Sequence, residues 1–197
     1  MSSDSIAIYL SGSVKKGSVD VRGHEHFWTE EDEINIRKNL NRYSVHLLNP
    51  SKTKITRNDV LNNFGCDLYL VRESDVVFVD ARNKRGIGIG AEMMYASVID
   101  VPVISICPKN SYYRKDFVPD VFGEDLHDWI HPFIAGLSNV VVDSIDAAVE
   151  VVKQHFPTNF SELATPKPES AIQYFLDRNR GNGYLSSHTA EFLSEAN

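Results

Sequence analysis

Cysteine is scarce in this chain, with only Cys66 and Cys107 among 197 residues. One falls in an apolar helical pattern and the other in an apolar strand pattern, with neither a disulfide framework nor metal-ligand spacing. Both therefore read as core residues in a reducing, cytoplasmic setting. Long hydrophobic runs are missing too. No stretch approaches the roughly 18 apolar residues of a membrane span, and the opening Met-Ser-Ser-Asp-Ser lacks the basic region of a secretory leader. Basic residues are the minority, 20 Lys and Arg against 27 Asp and Glu, for a formal charge of −7. That balance argues against nucleic acid polymers and anionic membranes as partners, whereas a small anionic ligand needs only a local positive site. Internal repeats and low-complexity blocks are absent. The expectation is one domain over residues 1–157 and a helical extension with a tail over 158–197.

What is present is an alternation of strand and helix patterns. Ile6 to Leu10 reads as a first strand, Ser11-Gly12-Ser13 as a tight turn, and the polar segment up to about Phe27 as a lid. Thr29-Glu-Glu-Asp carries a helix-start signal, with Ile34, Ile36 and Leu40 as the apolar positions of that helix. Tyr43 to Leu48 is a second strand. A second helix, capped by Asn58 or Asp59, runs to about Arg72 and places Val60, Leu61, Phe64, Leu68 and Val71 on one face. A third strand spans Val76 to Val79, and the spacing predicts a third helix from about Gly90 to Val98. Val101 to Cys107 and Val140 to Val142 supply two more strands, and Ser144 caps a further helix. The stretch from Lys109 to Ser138 reads as long, aromatic and irregular, a cover for a site or a partner surface that includes Trp129, His131 and Phe133 as packing residues. Ser170 to Arg178 suggests an appended helix. Strands alternating with helices imply a parallel sheet.

The chemistry concentrates between Ser74 and Ala96, where a β-branched strand, a glycine-rich turn and a helix follow one another. Gly86, Gly88 and Gly90 remove side chains where backbone approaches a ligand. Glu92 is expected in the first turn of its helix, where the helix N-terminus favours the ionised form by a fraction of a kcal/mol up to about 2. An ionised carboxylate there is either a nucleophile or a simple complement to the helix dipole. In a doubly wound sheet ligands bind beyond the carboxyl ends of the strands. Tyr9, Asp80 and Glu92 are all expected near that edge, as a phenol and two carboxylates facing one crevice. The bland alternatives are that Asp80 caps a turn and that Tyr9 packs in the core. Asp67 falls in the middle of the apolar stripe of the second helix, where burying a charge is costly. It is either satisfied by a local hydrogen bond or kept because a perturbed pKa is useful, and the second reading is preferred. Asp75 reads as structural.

These positions carry a resemblance to the nucleoside 2-deoxyribosyltransferase family, including its deoxynucleotide N-hydrolase branch. Tyr9-Leu-Ser-Gly-Ser-Val14 resembles the family's first strand and turn, Asp67 to Asp75 its acid-bearing helix, and Gly88-Ile-Gly-Ala-Glu92 its nucleophile turn. The resemblance implies a flavodoxin-like or Rossmann-like α/β three-layer sandwich with a mostly parallel five-stranded sheet in the order 2-1-3-4-5. It also implies that the acid matching Glu92 attacks the anomeric carbon, that Asp67 handles the proton on the base, and that Tyr9 orients the nucleophile. Gly12, Ser13, Lys15, Asp80, Gly86, Gly88 and Gly90 are then expected to bind substrate. Leu137-Ser138-Asn139 is similar to the segment from which the family lends a polar residue to a neighbouring subunit, so Asn139 joins the site in an expected homo-oligomer. Transferases of the family often carry an acid six residues before the nucleophile, whereas this chain has Gly86. Lys15 and Lys16 resemble the phosphate-holding turn of the hydrolases. Cleaving an N-glycosidic bond needs a nucleophile beneath the sugar and a proton donor for the base, which is the set of residue types present.

No cofactor is expected. His24 and His26 lack the acids or cysteines that would complete a metal site, and Gly86-Ile-Gly-Ile-Gly90 lacks the dinucleotide-binding spacing and follows the third strand. The expected ligand is a nucleoside or its 5′-monophosphate, handled by hydrolysis or by transfer to a second base. Two other classes stand beside it: a nucleotide-sensing module that keeps the crevice without the chemistry, and a NAD-cleaving domain of related topology.

Overall fold

The computed structural model describes residues 4–14, 23, 27–53, 58–121, 123–157, 160, 163 and 167–179. The polar segment expected as a lid, with Lys15, Lys16, His24 and His26, lies outside them. The chain divides into two compact units, residues 1–166 and 167–197.

The first unit is built on five parallel strands. These are β1 (Ser5–Ser11), β2 (Ser44–Leu48), β3 (Val76–Asp80), β4 (Val103–Ile106) and β7 (Val140–Val142), in the order β2-β1-β3-β4-β7. Between them run α1 (Glu30–Asn39), α2 (Val60–Arg72), α3 (Ile87–Val98) and α4 (Pro132–Leu137), and α5 (Ile145–His155) follows the last strand. With helices on both faces this is an α/β three-layer, Rossmann-like sandwich. Strand alternation sorts the core in two. Ile6, Ile8 and Leu10 of β1 pack with Phe78 and with Ile36 and Val149 on the α1/α5 face, whereas Tyr9 joins Val77, Val79, Ile89 and Met93 on the α2/α3/α4 face. All five residues of β3 are buried, as a central strand covered on both faces requires.

Local signals explain most of the ends. Thr29 and Asp32 form a reciprocal capping box on α1, and Asp59 and Ser144 cap α2 and α5 through their side chains. Asp75 accepts the Ala7 N–H at 2.7 Å and so ties the amino end of β1 to that of β3. Pro102 has no N–H to give to a ladder, and β4 starts one residue after it.

Three elements differ from their expected form. Helix α3 begins at Ile87, with Gly86 as its N-cap, so Gly88 and Gly90 are helical. Each glycine costs roughly 1 kcal/mol of helix propensity, which burial of Ile89, Met93 and Ala96 offsets. Residues expected to be irregular form an antiparallel ribbon, β5 (Arg114–Val121) with β6 (Glu124–Ile130), bulged between Val118 and Val121. A two-stranded ribbon carries polar residues on both faces, so its strands lack the apolar alternation that would reveal them. The apolar stripe of α2 is not core: Val60, Leu61 and Phe64 are exposed, and Val71 is its one buried residue. In the second unit, α6 (Pro168–Asn179) is a helix with no buried residue.

Candidate active site

β1 ends where strand order reverses, between β2 on one side and β3 on the other. Tyr9 and Ser11, two residues apart, share the face turned toward α2 and α3. Ser11 is fully buried, and its hydroxyl donates to Oε2 of Glu92 at 2.5 Å. Glu92 is the sixth residue of α3, in its second turn, and only 8% exposed. The field of a helix end fades within one turn, so burial decides the protonation of this acid. Its carboxyl is pushed up to about 7, mainly by desolvation and also by the Asp67 charge, against the pull of the Ser11 and Tyr9 hydroxyls. A helix starting at Gly90, three residues later, would have put Glu92 in the first turn and favoured its ionised form, the opposite direction.

The Tyr9 hydroxyl is buried and too loosely placed against Glu92 for a full hydrogen bond. Burial, and then the charges of Glu92 and Asp67, raise its pKa far above the phenol range, so it stays a neutral donor. Asp67, half-buried on α2, is thus within electrostatic reach of both. A Cβ on Gly88 would lie 3.9 Å from Oε1 of Glu92, which puts that glycine's backbone against the carboxylate. One phenol, one hydroxyl and two carboxylates therefore meet between β1, α2 and α3.

The remaining residues of the expected site are dispersed. Asp80 is on the α1 side of the sheet, since β3 alternates and Val79 takes the Tyr9 side. It is fully buried and paired with Arg82 at 2.8 Å and with Arg85. Burial alone would raise its carboxyl; the two guanidiniums more than offset that and hold it below the usual range. Arg82 continues to Asp32 at 2.9 Å, linking β3 to the start of α1. Gly12 is pressed against Trp28, whose ring atoms would lie 2.8 Å from an added Cβ. The indole N–H of Trp28 donates to the Ser11 carbonyl at 3.1 Å, and Arg82 sits 5.3 Å above its ring. Ser13 lines a separate cleft of about 590 Å³ with Trp28, Thr29 and Asn49. Gly86 and Gly90 line a cavity on the α4 flank of α3. Asn139 is at the opposite edge of the sheet, where its Oδ1 accepts the Val103 N–H at 2.7 Å and its Nδ2 donates to the Leu163 carbonyl at 2.9 Å. Lys15 lies outside the described residues.

Ser11 was missed because it reads as a turn residue. Its signal was the two-residue phase with Tyr9, which puts both side chains on one face. Trp28 carries no local sequence signal because its partner Ser11 is 17 residues away, and the pairing of Asp80 with Arg82 and Arg85, two and five residues on, is hidden until β3 turns Asp80 to the α1 face. Among the described residues no group of three or more His, Cys, Asp or Glu is placed to hold a metal ion, and no described helix is long and apolar enough to cross a membrane.

No protein-family model and no curated protein matches the sequence. Among solved structures, the chain is similar to the Clostridium botulinum CMP N-glycosidase BcmB, at 10% identity over 76% of this chain and 99% of that one, with a TM-score of 0.41.

Proposed function

We propose that this protein cleaves the N-glycosidic bond of a nucleoside, ribo or deoxy, or of its 5′-monophosphate through a covalent glycosyl-Glu92 intermediate. The observation that carries the reading is the grouping of Glu92 with Ser11, Tyr9 and Asp67 at the carboxyl end of β1. In the ionised form, one oxygen of Glu92 attacks the anomeric carbon while the bond to the base breaks. The bonding pair leaves with the base, and Asp67 handles the proton that neutralises it. Ser11 holds the second oxygen of Glu92, and the neutral Tyr9 hydroxyl beside it orients the carboxylate. Water, or a second base, then attacks the same carbon and releases Glu92, so configuration is retained over two displacements.

A carboxyl poised near neutrality suits this cycle. It is ionised often enough to attack, and its buried position makes the anion a stronger nucleophile than an exposed one. Gly86 in place of the transferases' acid supports water as the acceptor. The exposed flank of α2, uncharged from Val60 to Cys66, is the surface we assign to contact with a second copy of this chain.

The test is incubation with a panel of nucleosides and 5′-monophosphates, with and without a second free base, scored for base release and base exchange. Release without exchange is expected, and Glu92→Ala is expected to abolish it while leaving the fold intact. Undiminished turnover in Glu92→Ala would refute the assignment.

A further inference from the structure

The flank of α3 turned toward α4, away from Glu92, borders a cavity of about 380 Å³, within the range of small-molecule sites. One wall is a row of rings. Tyr112 meets Tyr113 edge-on at 4.9 Å between centroids, Tyr113 meets His131 at 5.5 Å, and His131 lies 6.0 Å from Phe133. The other wall is backbone at the start of α3, where a Cβ added at Gly86 or Gly90 would meet nothing within 4 Å. Ile89, Met93 and Ile134 form an apolar floor. A slot between ring edges and bare backbone suits a flat, polarisable group.

Its charge is as distinctive as its shape. Among the described residues the lining carries the cations Lys84 and Arg85 and no carboxylate, in a chain whose formal charge is −7. Arg85 is committed to Asp80. Lys84, with its ammonium 5.4 Å from the centroid of the Tyr112 ring, stands at the rim beside the first-turn N–H groups of α3, to which Gly86 offers no side-chain cap. Tyr113 fixes the loop between them, accepting the Arg85 N–H at 2.8 Å. Tyr112 and Phe133 are 52% and 62% exposed and have ring surface left to give a ligand.

We propose that this cavity is a second ligand site, separate from the Glu92 cluster, for a heteroaromatic ring carrying an anionic group and about the size of a nucleoside monophosphate. The ring lies against the Tyr112–Phe133 wall, and the anion lies between Lys84 and the start of α3. The proposal stands whether or not Glu92 attacks a sugar.

The test is calorimetric titration of the Glu92→Gln chain with AMP, CMP, adenosine and inorganic phosphate, repeated with Lys84→Ala and Tyr112→Ala added together. At least one monophosphate is expected to saturate a site, with adenosine and phosphate each binding at least tenfold more weakly. The added pair of substitutions is expected to weaken that binding tenfold or more, and the same monophosphate should shift the His131 ring protons of the wild-type chain. Asp67→Asn, in the Glu92 cluster, should leave the Lys84- and Tyr112-dependent binding and the His131 shift unchanged. Saturation by neither monophosphate, an isotherm indifferent to the Lys84 and Tyr112 changes, or binding lost only with Asp67→Asn would each overturn the proposal. Base release by the wild-type chain is a separate readout, so failure of the catalytic reading is told apart from failure of this one.

Discussion

Removing the Ser11 hydroxyl tests the electrostatics of the acid cluster more directly than removing the acid itself. In Ser11→Ala the buried Glu92 carboxylate loses a hydrogen bond of 2.5 Å to Oε2. Such a bond to a charged group contributes about 1.5–3 kcal/mol. At about 1.4 kcal/mol per pH unit, its loss raises the Glu92 pKa by roughly one to two pH units. From a starting value of about 7, it would then reach roughly 8 to 9. At pH 7 the ionised fraction falls from about a half to between about a tenth and a hundredth, so kcat/KM falls roughly 5- to 50-fold. The loss is recovered as pH rises, because the anion, once formed, is still beneath the sugar. The assay is the pH profile of base release for both proteins, with carbon-13 NMR titration of the Glu92 carboxyl as a readout that needs no substrate. An apparent pKa that stays put or moves down in Ser11→Ala would refute the reasoning, as would a loss of rate that high pH does not restore.

The same acid sets a stability signature. A carboxyl whose folded pKa, about 7, lies above its unfolded value near 4.5 stabilises the fold fully below 4.5 and loses that contribution as pH rises through 7. Glu92→Gln is expected to flatten this window and to be more stable than wild type by up to about 3 kcal/mol at pH 8, read by urea denaturation across pH. Gly12→Ala pushes a methyl into the Trp28 ring, at a cost of about 1–3 kcal/mol in the same measurement; a neutral result would show that the indole moves freely. Arg85→Met leaves the buried Asp80 with Arg82 as its remaining cation, and the midpoint of denaturation should fall by the equivalent of about 3 kcal/mol or more. Phe64→Glu together with Leu61→Glu should shift sedimentation toward the monomer if α2 joins two copies; an unchanged profile removes that surface from the assembly.

Much of the architecture was readable from local chemistry. The capping signal at Thr29, the paired faces of Ile6, Ile8 and Leu10 against Tyr9, and the β-branched run at Val76 depend on neighbours a few residues away. What escaped depends on which faces the surrounding elements cover. Three glycines in five residues looked like a loop, and only the burial of Ile89 and Met93 against the sheet shows why the helix includes two of them. Asp67 was expected inside an apolar stripe, yet Val60 and Phe64 of that stripe are exposed while Asp67 itself borders Tyr9 and Glu92. Asp80 looked like a second acid for the crevice; strand alternation sends it to the opposite face, where Arg82 and Arg85 take up its charge. The ribbon from Arg114 to Ile130 had no pattern to read, because polar residues lie on both of its faces and its contact with the core is made at its end, by Ile130.

Ser11 is pinned at both ends, its carbonyl by the indole of Trp28 and its hydroxyl by Glu92. A proton arriving at or leaving Glu92 is therefore felt, through one residue, by a fluorophore the chain already carries. The emission of Trp28, isolated by replacing Trp129 with phenylalanine, becomes an intrinsic optical gauge of the acid's charge state, usable in a stopped-flow cuvette without any label or substrate analogue.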